Sequence, residues 1–450
     1  MRTLLITGTL AMMALAGCLD GDSDATDGDA LPAVDLFQPI DYIDRQTASH
    51  PAFGFPTATD YTGFTGDRLP ATWLPPQPVE VPETITGLEL LGSAEGVAAG
   101  AGIAVFGHYA IVSGNGPGSI VDIADPLNPV KVADLDISVR DADVIAYPDG
   151  RLVAVMASNG PIHTFDITDP RNPIQLPSLE VSSHNAVVVP GTPIVYNAGS
   201  SGGSTSGLGG EGHIPALATG VTEIFDLTDP ENPVRLDDFA NGYGCHDITT
   251  FIDAETERYR AYCAGIEASQ IWDIADPANP TVITTVPAHH GVPALPSGSV
   301  PLVLFSHLAM TNHDGTVLIV GDETGGGAVP PGCDVNAAGL SGPLGNLWFY
   351  DISDETSPLL VGWISPSSLL TEGEVLATCT AHFGRLIEDR DQVAVAFYGR
   401  GVQIVDFSDP AAPFFAASFE EGTDTWDAWY WQGYIFTGDL SRGLDVFKLT

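Results

Sequence analysis

VDIADPLNP at Val121 returns as FDITDPRNP at Phe165, FDLTDPENP at Phe225, WDIADPANP at Trp272, YDISDETSP at Tyr350 and VDFSDPAAP at Val405. A segment written six times marks a repeat array, and its chemistry says what each repeat does. The Asp accepts hydrogen bonds from the backbone that follows it, and each Pro fixes φ and removes a donor, so the chain must reverse. The apolar residues just before the turn fill the space between sheets. Around each copy the chain reads as four short strands. In the third unit these are HNAVVV from His184, PIVYNAG from Pro193, TEIFDL from Thr222 and PVRLDDF from Pro233. Short β-branched runs punctuated by Gly, Pro and Asn indicate all-β structure, and no stretch has a helical period. Four-stranded sheets recurring about every 45 residues describe a β-propeller, here with seven blades. The last unit stops at Thr450 after its third strand, while TITGLELLG from Thr84 reads as a fourth strand without a unit of its own. That strand is expected to complete the last blade and close the ring, which removes two sheet edges.

The segments upstream of the repeats are SAEGVAAG, VRDADVIA, SSHNAVVV, GCHDITTF, FSHLAMTN, TAHFGRLI and TWDAWYWQ. Aligned on their third residues they give Glu95, Asp141, His184, His246, His307, His382 and Asp427. Each begins the innermost strand of a blade, so these residues are expected to surround the axial channel at one face. Imidazole nitrogen and carboxylate oxygen are ligands of Zn²⁺, Mn²⁺, Fe²⁺ and Cu²⁺. His184, His246, His307 and His382 would cover one side of such a metal site, with Glu95, Asp141 and Asp427 opposite as ligands or as groups that orient them. The competing reading has these side chains bonding the backbone of neighbouring blades and lining a water-filled channel without metal.

Connections between second and third strands bring Asn159, Asn197, Glu267, Asp322, Glu323, Arg400 and Asp439 to the same mouth. Glu323 is the candidate general base, since a carboxylate beside a metal-bound water can take its proton; its alternative is a loop cap. Arg400 either clamps an anionic group of a ligand or pairs with a ring carboxylate. Insertions at 199–218, 287–301, 324–345 and 365–378 interrupt connections of that same face, whereas the DPxNP face carries none. Loops elaborated on one face of a rigid scaffold are where binding usually sits. No phosphate loop or HExxH is present in the sequence, and the one GxSxG match, Gly199 to Gly203, falls in a Gly- and Ser-rich insertion rather than at a strand-to-helix turn, so it is not of the hydrolase type.

With 15 Lys and Arg against 58 Asp and Glu, a net charge of −43 excludes the phosphate neutralisation that nucleic acid demands and docking on an anionic lipid surface. Lysine is confined to Lys131 and Lys448, a bias that fits either a high-salt environment or an Arg-preferring genome. At the amino terminus Arg2 precedes an apolar run, then Leu15-Ala16-Gly17-Cys18, then an acidic stretch. This reads as an export signal over 1–18, too short to span a bilayer, with Cys18 the lipidated residue of a lipoprotein or, alternatively, a chance cysteine. Residues 19–33 form an acidic linker, 34–83 a Pro- and aromatic-rich arm, and 84–450 the propeller. The protein is then extracytoplasmic and meets the membrane only through a lipid anchor. Export makes disulfides plausible. Cys245 and Cys263 lie on two arms of one predicted hairpin and are expected to pair, and Cys333 and Cys379, in loops of one face, are paired with each other in turn.

The repeats resemble the LVIVD repeat, seen in QIVDFSDP here. CHDITTF, SHLAMTNHDGTVLIVGDE and TAHFGRLI followed by GRGVQIVDFSDP are similar to choice-of-anchor B proteins, prokaryotic surface proteins. The resemblance covers 84–450 and implies the fold, while implying no agreed activity. Two functions follow as expectations. One is a surface protein that binds a protein or small-molecule partner through the insertion-bearing face, with or without an axial ion. The other is a metal-dependent oxidase or hydrolase using the axial ring.

Overall fold

The computed structural model describes residues 79–450 apart from 98–99, 115, 159, 200–219, 243, 254, 266–267, 288–304, 324–344, 367–377, 388–389 and 422. The export signal, the linker, most of the arm and the bulk of all four insertions therefore lie outside the described residues.

Seven four-stranded antiparallel sheets make up the fold, and no helix longer than a single turn occurs among the described residues. Blades 1 to 6 span 100–138, 141–175, 185–235, 247–287, 306–364 and 384–419. In each the strands lie in chain order from the axis outward. Blade 7 takes three strands from 425–449 and its outermost from Leu88–Ser93. Leu88 pairs with Leu449 and Ser93 with Asp445. Thr450 and Gly87 then exchange backbone hydrogen bonds of 3.0 and 2.9 Å. The expected ring closure by an amino-terminal strand is present.

The repeat turn owes its shape to its own side chains. Asp125, Asp169, Asp229 and Asp276 each accept from the backbone N–H two residues on, at 3.1 Å. Their second oxygens accept from Asn128, Asn172, Asn232 and Asn279 at 2.7 to 3.0 Å. This Asx geometry satisfies groups that would otherwise need sheet partners, so the turn forms locally before any blade packs.

The core is divided like the fold. Seven clusters of buried apolar residues fill the seven seams between neighbouring blades, from Phe106, Leu152 and Phe165 between blades 1 and 2 to Ile103, Phe436 and Val446 between blades 7 and 1. Burial of these faces is the main stabilising term, and closure means that no blade is left with an uncovered face. Cys245 and Cys263 form a disulfide. Cys379 is also disulfide-bonded, and its expected partner Cys333 lies outside the described residues. Arg390 fixes the end of the arm by donating to Pro82 O at 2.7 Å, and Val79 N donates to Gln432 O at 3.0 Å.

Candidate functional site

The innermost strands begin at the axis with a closed circuit of six side chains. Arg140 Nε donates to His184 Nε2 at 3.2 Å. His184 and His246 follow with ring centroids 4.1 Å apart, His246 and His307 at 4.6 Å, and His307 and His382 at 4.0 Å. His382 lies 4.0 Å from Trp426, and the guanidinium of Arg140 sits 4.9 Å over the Trp426 ring. Blades 2 to 7 thus supply one member each. In blade 1 the equivalent position is Ala101, judged from the matching hairpins Phe106–Tyr109 and Trp431–Tyr434.

This corrects the sequence alignment at three of seven positions. Glu95 is exposed, in the turn before blade 1, and takes no part in the ring. Asp141 and Asp427 stand one residue past the ring, at the position held elsewhere by Asn185 and Asp247. Their carboxyls tie blade to blade: Asp427 Oδ2 accepts from Ile103 N at 3.0 Å, and Asp141 Oδ2 from Asn185 Nδ2 at 2.5 Å. The ring members missed by the sequence reading are Arg140 and Trp426. The signal for them was the tripeptide Arg140-Asp141-Ala142 set against His184-Asn185-Ala186 and Trp426-Asp427-Ala428.

Further polar groups close on the imidazoles. Asp247 Oδ2 lies 2.7 Å from His246 Nδ1 and 3.1 Å from His307 Nε2. Glu323 lies beside the ring, with Oε2 3.5 Å from His307 Nε2 and Oε1 3.6 Å from His382 Nε2. Tyr398 donates its hydroxyl to Glu323 Oε1. Donor atoms of His246, His307 and Glu323 lie within 4.8 Å of one another, as do those of His184, His246 and Asp247.

Burial sets the protonation of this cluster. His307 and His382 have no exposed surface, and His246 and Glu323 nearly none. Loss of water pushes all four imidazoles far below their ordinary range, with the neighbouring rings and Arg140 adding to the effect. They are neutral, the form that ligates metal. Burial raises the Glu323 carboxyl to about 8, against the opposing pull of its bond from Tyr398. Among the described residues neither nitrogen of His307 makes a well-aligned hydrogen bond, although Asp247 Oδ2 stands 3.1 Å from Nε2. A buried polar atom in that condition is costly, so the position is one that a ligand or ion relieves.

The other expected site residues are engaged elsewhere. Arg400 pairs with Glu420 at 3.1 Å. Asn197 donates to Ser182 O and Glu223, and Asp322 accepts from Phe305 N at 3.0 Å. Asp439 accepts from Ser441, Arg442 and Asp424 in a turn. Glu267 and Asn159 lie outside the described residues.

Beyond the ring the axis opens into a cavity of about 360 Å³ whose rim includes Pro190, Asn312 and Gln432, residues of the hairpins on the DPxNP face. Its walls include Asp143, Thr249, Met310, Arg385 and Trp429. None of the six ring residues lines it.

Fold and axis together define a seven-bladed β-propeller with a polar cluster on its axis. A family profile for the LVIVD repeat matches residues 99–136 and 393–421, so the chain carries LVIVD repeats. Among solved structures it is similar to a functionally unknown protein from Desulfotomaculum acetoxidans DSM 771, at 13% identity and a TM-score of 0.46, over 72% of this chain and 87% of that one. No curated protein matches the chain.

Proposed function

We propose that this chain is an exported, lipid-anchored surface protein of the choice-of-anchor B kind, that it binds a partner at its insertion-bearing face, and that its axial ring holds one divalent transition-metal ion. The observation that carries the metal is the convergence of His246, His307 and Glu323, with donor atoms within 4.8 Å of one another and, among the described residues, no well-aligned hydrogen bond at either His307 nitrogen. Asp247 beside His246 Nδ1 would orient that imidazole and leave Nε2 as its donor. Zn²⁺, Mn²⁺, Fe²⁺ and Cu²⁺ all accept this N/O donor set. An ion there would link blades 4 and 5, which supply the three donors. The packing of the imidazoles against one another and Trp426 favours a structural ion over one with an open coordination position.

The Leu15-Ala16-Gly17-Cys18 segment supports the anchor, and the histidine-bearing segments CHDITTF, SHLAMTN and TAHFGRLI support the family placement. A metal-dependent oxidase or hydrolase is the second reading. It rests on the Glu323 and Tyr398 pair, a buried carboxyl raised to about 8 beside the ring, which suits general acid–base work.

Elemental mass spectrometry of the purified protein tests the metal. The proposal expects about one transition-metal ion per chain, lost in the His246→Ala/His307→Ala variant. A metal-free protein that takes up none of Zn²⁺, Mn²⁺ or Cu²⁺ on reconstitution would refute it.

A further inference from the structure

The cavity on the DPxNP face is separate from the ring, and its charged groups differ in how far they are already engaged. Asp143, Thr249, Met310, Arg385 and Trp429 occupy the same register position on five innermost strands, so they form one layer around the axis. Asp143 is held by the fold. Its Oδ2 accepts from Val188 N of blade 3 at 2.9 Å and its Oδ1 from Val144 N at 2.8 Å. Thr249 donates to Ala309 O of blade 5.

Arg385 is different. Its guanidinium lies 4.3 Å from the centre of the Trp429 ring and donates through Nη1 to Gly384 O at 2.9 Å. A guanidinium carries five N–H donors, and no other hydrogen bond and no ion pair engages this one among the described residues. Six of the other nine described arginines, Arg171, Arg235, Arg258, Arg260, Arg400 and Arg442, hold a carboxylate within 3.1 Å, while Arg140 donates to His184, Arg390 to backbone carbonyls, and Arg151 lies over Tyr147. Arg140, the other axial arginine, is closed into the ring by His184 and Trp426, so Arg385 is the axial guanidinium that lines the cavity with most of its donors uncommitted among the described residues.

A structural role would be to offset the axial carboxyls by its field, which reaches Asp141, Asp143, Asp247 and Asp427. That role does not require a guanidinium held over an indole at the wall of a cavity. The Trp429 contact and the Gly384 bond restrain the guanidinium, so less freedom is lost when a planar anion docks on its remaining donors. Trp429, Met310 and Phe251 supply apolar wall for the rest of the molecule. A volume of about 360 Å³ is at the small end of ligand sites.

We infer that the axial cavity on the DPxNP face binds a small organic carboxylate, with Arg385 as the carboxylate anchor and Trp429 as its platform. This inference does not depend on metal at the ring.

The test titrates the purified full chain with acetate, succinate and benzoate by calorimetry and tryptophan fluorescence, with benzamide and benzylamine as neutral and cationic counterparts of benzoate. At least one carboxylate is expected to bind at millimolar concentration or tighter, more tightly than either counterpart. Arg385→Gln should weaken it by about tenfold or more, and Arg385→Lys should recover part of that loss because it restores charge without the fork. Val187→Phe, which narrows the cavity without touching Arg385, should also abolish binding and serves if Arg385→Gln does not fold. The inference is overturned if no carboxylate binds at millimolar concentration. It is equally overturned if benzylamine binds as well as benzoate, or if carboxylate binding survives Arg385→Gln or Val187→Phe.

Discussion

Asp143 makes the stability of the propeller depend on pH in a direction opposite to that of an ordinary paired carboxylate. Burial raises its pKa from 3.8 to about 6, while bonds from Val188 N and Val144 N and the field of Arg385 pull the other way. The unfolded chain loses this proton near pH 4, whereas the folded chain keeps it until about pH 6. Between those values the folded state binds more protons than the unfolded state, so stability falls as pH rises, and it levels off above the folded pKa. At about 1.4 kcal/mol per pH unit the interval corresponds to about 3 kcal/mol. The side chain is half-buried at the wall of an open cavity, so about 2 kcal/mol is the expected share after solvent screening. Asp143→Asn removes the titration and keeps one acceptor for the two N–H groups, at a cost that does not vary with pH. Urea unfolding of both proteins across this range isolates the effect, because all other titrating groups cancel in the difference. The variant should gain about 2 kcal/mol relative to the parent on going from pH 4 to pH 6.5. A difference that stays flat, or that moves in favour of the parent, would show that the carboxylate is held ionised and that burial is not its dominant influence.

Two further expectations concern the scaffold. Replacing Cys245 and Cys263 by Ala removes a cross-link between residues 18 apart and should cost about 3 kcal/mol by loop-closure entropy, read as a lowered melting temperature; an unchanged midpoint would refute it. Gly362 in blade 5 faces the repeat turn of blade 6, where an added Cβ would meet Pro410 O at 2.0 Å. Because the obstacle is backbone, Gly362→Ala should cost about 1 to 3 kcal/mol, and melting at the parental temperature would count against this seam's being rigid.

The number of blades and their closure were legible because both follow from local chemistry written repeatedly. The Asp of each turn bonds the adjacent backbone, and in four copies an Asn three residues on as well, so six copies announce six turns without any knowledge of packing. The ring was legible only in part. Aligning the segments on charge matched Asp141 and Asp427 to the histidines, although both belong with Asn185 and Asp247, which stand one position further on. The error followed from treating all acids as ring chemistry, when these acids hold the inner strands together. Tyr398 could not be read at all. It sits in a hairpin of blade 6 with φ of 47°, and its contact with Glu323 joins residues 75 apart in sequence, a relation that no repeat encodes. Arg385 was hidden for a similar reason, since its significance depends on which partners the other blades fail to provide.

Asp141, Asn185 and Phe383 separate two environments on one axis. Each directly follows a ring member and lines the cavity, while Arg140, His184 and His382 before them do not. A molecule entering from the DPxNP face therefore meets Arg385 and Trp429 and stops short of the histidines. The more exposed members of the ring, Arg140 and His184, are half-buried, whereas His246, His307 and His382 are closed off. Whatever the ring holds is thus insulated from whatever the cavity holds. That arrangement fits an ion that locks the inner strands and leaves ligand recognition to a different part of the channel. If instead the ring performed chemistry on a bound molecule, the molecule would have to approach from the side of the insertions, past Arg140 and His184, and the cavity would be a second, independent site.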